Sequence, residues 1–95
     1  MRDYEITVIL RPDLEEKKID AWVKFLETLL DKFSTKVKGK ISITKKPLAY
    51  EIKMLREGQY VFCEAQGDPS KLTGIDTALK NDDNVLRYLI IKKIN

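Results

Sequence analysis

The stretch Asn84-Val85-Leu86-Arg87-Tyr88-Leu89-Ile90-Ile91-Lys92-Lys93-Ile94 reads as a strand that is apolar on both faces. Successive strand side chains point to opposite sides of a sheet, so Leu86, Tyr88 and Ile90 share one side and Arg87, Leu89 and Ile91 the other. A chain of 95 residues is expected to form one domain, residues 1–95, around a single modest core. Two helices in such a domain cover one side of the sheet and leave the other apolar strip uncovered. Set beside Arg87, Lys92 and Lys93, that strip is the expected docking surface for a partner that is part protein and part polyanion.

Working outward, Arg2 to Leu10 alternates in the same way, with Tyr4, Ile6, Val8 and Leu10 on one face and Asp3, Glu5, Thr7 and Ile9 on the other. Arg11-Pro12 ends this strand. Asp13 followed by Glu16 has the spacing of a capping box, and the acidic first turn suits the helix dipole, which predicts a helix running to about Phe33. Its apolar stripe is Ile19, Val23, Leu26, Leu30 and Phe33, widened by Trp22, Phe25 and Leu29, with Lys17, Lys18 and Lys24 toward solvent.

Val37, Ile41 and Ile43 alternate with Lys36, Lys38, Lys40 and Ser42, and the pattern resumes as Leu48, Tyr50 and Ile52 after Pro47. A proline has no ladder donor, so this strand belongs at a sheet edge. Arg56-Glu57-Gly58 reads as a turn into Gln59–Gln66. There the small Val61, Cys63 and Ala65 suit the side beneath helices, and Tyr60, Phe62 and Glu64 take the other. Gly67-Asp68-Pro69-Ser70 opens a short second helix carrying Leu72, Ile75 and Leu79 and ending near Asn81.

Strand, helix, strand, strand, helix, strand is the order of the α+β, ferredoxin-like split βαβ arrangement (βαββαβ), a four-stranded sheet with both helices on one face. The right-handedness of crossovers allows little else. The first and third strands are then central and the second and fourth are edges, which accommodates Pro47.

Composition excludes several function classes. The 18 basic and 15 acidic residues give a net charge of only +3, so distribution matters more than total. Acids gather at Asp3, Glu5, Asp13, Glu15, Glu16 and Asp20, whereas Lys36, Lys38, Lys40, Lys45 and Lys46 form a basic run. No apolar run is long enough for a signal peptide or a membrane span, which points to the cytoplasm. The single cysteine, Cys63, has no cysteine to pair with and no histidine to activate it, and reads as a small buried hydrophobe. With no Gly-rich phosphate loop, no histidine and no metal-ligand spacing, the chain reads as non-catalytic and free of cofactors. Glu15 and Glu16 diverge on a helix and are explained by capping.

Three segments carry a resemblance. Arg2-Asp3-Tyr4-Glu5, Lys46-Pro47-Leu48-Ala49-Tyr50-Glu51-Ile52 and Asp83-Asn84-Val85-Leu86-Arg87-Tyr88-Leu89-Ile90-Ile91-Lys92 together resemble the family of the sixth small-subunit ribosomal protein of bacteria. The resemblance spans essentially the whole chain. It implies the same split βαβ fold, pairing with the eighteenth small-subunit ribosomal protein, and joint binding of 16S ribosomal RNA in the platform region. The chain departs from the family pattern at Pro47, where a second basic residue is common, and at Glu51, where proline is common. It stops at Asn95, whereas many relatives carry a C-terminal tail along the protein partner, so that part of the interface is expected to be missing.

Read together, these observations make Arg2, Lys46, Arg87, Lys92 and Lys93 the candidate RNA contacts and Tyr60, Phe62, Leu89 and Ile91 the candidate partner contacts. The first and fourth strands are neighbours in this topology, so Arg2, Lys92 and Lys93 are expected to gather in one region and position a phosphate backbone. The second-strand lysines have another use, as a charged edge that resists strand-to-strand aggregation. Tyr4 and Tyr50 read as packing residues with a hydroxyl at the sheet margin. The alternative function is a free single-stranded RNA reader of the RNA-recognition-domain type, because Tyr60 and Phe62 have its two-residue aromatic spacing. The first strand offers that reader only Asp3, Glu5 and Thr7 on the same face, with no aromatic and the wrong charge.

Overall fold

The computed structural model describes residues 2–93, so Ile94, at the end of the two-faced strand, lies outside the described residues. The elements run β1 (Arg2–Leu10), α1 (Glu16–Lys32), β2 (Thr35–Ile52), β3 (Leu55–Gly67), α2 (Leu72–Lys80) and β4 (Val85–Lys92), with a 3-10 turn at Pro69–Lys71 leading into α2. The strands form one antiparallel sheet in the order β2-β3-β1-β4. This is the ferredoxin-like split βαβ fold expected from the element order, and Pro47 lies on the edge strand β2.

Period-two burial makes the core. Tyr4, Ile6, Val8 and Leu10 of β1 and Val61, Cys63 and Ala65 of β3 are fully buried, against Trp22, Leu26, Leu29 and Leu30 of α1 and Ile75 and Leu79 of α2. Phe25 lies at the margin of the helical stripe, 44% exposed. Polar ties fix the loops to this core. Trp22 Nε1 donates to Asp82 Oδ2 at 2.8 Å, and Gln59 Nε2 donates to the Leu14 carbonyl at 3.1 Å. The Tyr88 hydroxyl donates to Asp76 Oδ1 at 2.7 Å, joining β4 to α2.

Three local expectations are corrected. The Asp13–Glu16 capping box does not form. Leu14 is drawn against the core and its carbonyl takes the Gln59 amide, so the chain stays extended through Glu15, which becomes the N-cap. Asp13 instead accepts from the Arg11 guanidinium at 3.2 Å.

The second correction concerns the β2–β3 turn. Ile52 pairs with Leu55, and the loop is Lys53-Met54, with φ of +50° and +66°. Two positive φ values are what a tight two-residue hairpin of right-handed twist requires, here without the usual Asn-Gly signature. Arg56-Glu57-Gly58 therefore lies inside β3. Gly58 is needed for close approach and not for a turn, since a Cβ there would sit 2.6 Å from Ile9 Cγ2 and 3.2 Å from the Leu10 carbonyl oxygen.

The third lies in β4, where a register shift opposite Ile9 and Leu10 sets Val85 across from Leu10 and Arg87 across from Ile9. Val85, which alternation puts with Arg87, is instead buried at the core position, and Leu86 stays half-buried like Tyr88 and Ile90.

Cys63 has no solvent exposure, and burial pushes its thiol up to about 11. In native buffer at pH 8 it should not react with Ellman's reagent, and one thiol should titrate after denaturation. Rapid native labelling would show that the centre of β3 opens.

Candidate nucleic-acid and partner interface

Because β1 and β3 bury alternate residues beneath the helices, the intervening residues form a broad face that neither helix covers. Register arranges it in rows. Ile9 lies between Tyr60 and Arg87, Thr7 between Phe62 and Leu89, and Glu5 between Glu64 and Ile91. On the β2 side, Ser42, Thr44 and Lys46 stand beside Phe62, Tyr60 and Gly58. Leu89, Ile91 and Phe62 are 56%, 45% and 37% exposed, so an apolar strip crosses the middle of the face.

The two ends differ in charge. At one end Lys93 Nζ lies 3.2 Å from Glu64 Oε1 and 3.5 Å from Glu5 Oε1, and Lys38 Nζ lies 3.6 Å from Asp3 Oδ1. The Glu64 bond, then Glu5, favours the charged ammonium and raises the Lys93 pKa above its ordinary value. The acids that would repel a polyanion are thus matched by lysines of the same face. The other end is basic and aromatic. The Lys46 ammonium lies 4.3 Å from the Tyr60 ring centroid, and Arg87 Cζ lies 4.9 Å from that of Tyr50.

Of the residues singled out from sequence, Tyr60, Phe62, Leu89, Ile91, Lys46 and Arg87 share this face. Lys93 shares it too but is held between two carboxylates. Arg2 and Lys92 lie at the same end of the sheet as Lys93, yet register puts them on the Tyr4 side, toward the helices. The expected gathering of the three terminal cations is therefore split between faces, because neighbouring residues of a strand point in opposite directions. Tyr4 is a fully buried packing residue.

Tyr50 was hidden from sequence reading in its role as a neighbour of Arg87. Its parity with Lys46 and Leu48 places it on the open side, but the register shift between Pro47 and Ile52 that bends this arm has no simple sequence mark.

Comparisons with known proteins agree with this architecture. The family described as Ribosomal protein S6 matches residues 3–92. The small ribosomal subunit protein bS6 of Symbiobacterium thermophilum is 38% identical over 92 residues, covering 97% of each chain. That of Moorella thermoacetica is 37% identical over 92 residues, covering 97% of this chain and 94% of its own. The crystal structure of 30S ribosomal protein S6 from Thermotoga maritima superposes with a TM-score of 0.90 over 97% of this chain and 87% of that one, at 21% identity, which is a likeness of fold. The chain belongs to the ribosomal protein S6 family of the small ribosomal subunit.

Proposed function

We propose that this chain is a structural, non-catalytic component of the small ribosomal subunit that works in the cytoplasm by binding 16S ribosomal RNA together with the eighteenth small-subunit protein. The observation that carries this reading is the uncovered sheet face, where the apolar strip of Phe62, Leu89 and Ile91 runs beside the cations Lys46 and Arg87. A protein partner covers the strip, and the joined pair presents enough positive charge to hold folded RNA. The net charge of +3 favours such cooperation over tight independent binding.

The free RNA reader is the weaker reading. One face of its first aromatic, Tyr60, is taken by the Lys46 ammonium, and β1 contributes Glu5 and Thr7 where a stacking base would need an aromatic.

Titration of a 16S platform-region RNA with this chain, with the eighteenth small-subunit protein, and with both tests the proposal. The chain alone should bind weakly, with a salt slope worth about one to three phosphate contacts, and the mixture should bind far more tightly than either protein. Nanomolar binding by this chain alone would overturn the cooperative account.

A further inference from the structure

We infer that Tyr50 is a positioning residue that holds the Arg87 guanidinium ready for a phosphate of the RNA backbone; the inference rests on the RNA-binding reading above. The two residues come from opposite edges of the sheet. With strands about 4.8 Å apart, β2 and β4 are separated by roughly 14 Å across β3 and β1, so a contact between them needs one edge to fold over. The β2 arm does so. Beyond Pro47 its register with β3 shifts, Leu48 Cδ2 comes within 3.3 Å of where a Gly58 Cβ would lie, and Tyr50 reaches Arg87. Gly58 allows this closure because its missing side chain leaves room for Ile9 below and Leu48 above.

Among the described residues, no carboxylate forms an ion pair with Arg87. Lys93 and Lys38 of this face differ in that respect, matched by Glu5, Glu64 and Asp3, whereas Lys46 resembles Arg87 in lying over an aromatic ring. A cation–aromatic contact draws on the charge of the guanidinium and makes no hydrogen-bond demand on its N–H donors, which suit bidentate pairing with phosphate. The ring thus restricts a flexible side chain without using the donors that an anion needs. Tyr50 itself is 54% exposed, so removing its ring does not hollow the core.

The experiment uses Tyr50→Leu, Tyr50→Phe, Arg87→Ala and the Tyr50→Leu/Arg87→Ala double variant, each bound to the eighteenth small-subunit protein and titrated with platform-region 16S RNA. In the free proteins the Arg87 Nε–H NMR signal should be displaced by ring current in the parent and in Tyr50→Phe, and lose that displacement in Tyr50→Leu. Tyr50→Leu should weaken RNA binding about two- to fivefold, the size of an exposed cation–aromatic contact. Tyr50→Phe should restore parental affinity, and the double variant should bind no more weakly than Arg87→Ala. If Arg87→Ala weakens binding and Tyr50→Leu does not, the positioning role is overturned while the RNA contact stands. If Arg87→Ala has no effect, the RNA role of Arg87 falls and the positioning role with it. Additive losses, or a loss in Tyr50→Phe, would make Tyr50 an RNA contact in its own right and overturn the inference.

Discussion

Leu89→Asp should leave the chain folded and lower its affinity for the eighteenth small-subunit protein by about a hundredfold, the scale of losing a central interface anchor. Leu89 is 56% exposed and stands opposite Thr7, so an aspartate there meets no buried apolar group within its own chain. Substitutions at such positions usually change stability by about 0.5 kcal/mol or less. Covered by a partner, the same carboxylate would be desolvated without a counter-charge, and that cost falls on binding alone. Leu89 is a cleaner site than Ile91, whose register neighbour is Glu5 and where an added acid would also disturb the Lys93 pairs. Calorimetry with the partner reads the affinity, and a circular-dichroism melt reads the fold. Unchanged affinity in a folded variant would show that the apolar strip is not the docking surface.

The two-faced strand was legible in sequence because alternation survives unbroken from Arg87 to Ile91 in β4 and along the β3 stretch that borders the face. Tyr60 and Phe62 of β3 and Leu89 and Ile91 of β4 land in adjacent rows as period two requires. What escaped reading depends on register shifts and on competition among polar groups. Asp13 and Glu16 have capping-box spacing, but half-buried Leu14 packs against the core and its carbonyl takes the Gln59 bond, in place of a cap worth about 1 kcal/mol. Gly58 looks like a turn residue, and the true turn, Lys53-Met54, carries no turn signature at all. The Lys93 pairs were hidden for a related reason. Glu5 and Glu64 come from different strands and become neighbours only through the β1–β3 pairing. Charge composition alone therefore overstated the cations available at the chain end.

Leu26→Ala should destabilise the protein by about 3 kcal/mol and lower its melting temperature by roughly 15 °C, since a buried leucine truncated in a close-packed core loses its transfer energy and leaves a cavity. Leu26 is fully buried in the α1 stripe between helix and sheet. Its neighbour Phe25 provides the internal comparison. That ring is 44% exposed and meets Trp22 at a centroid distance of 6.3 Å, so Phe25→Ala should cost only about 1 kcal/mol. Equal losses at the two positions, measured by urea unfolding, would mean that α1 is rotated on the sheet. The pair also separates stability from docking. α1 packs on the side of the sheet opposite Leu89, so Leu26→Ala protein held well below its melting transition should bind the eighteenth small-subunit protein as the parent does. A folded Leu26→Ala variant with impaired partner binding would move the docking surface away from the open face and onto the helices.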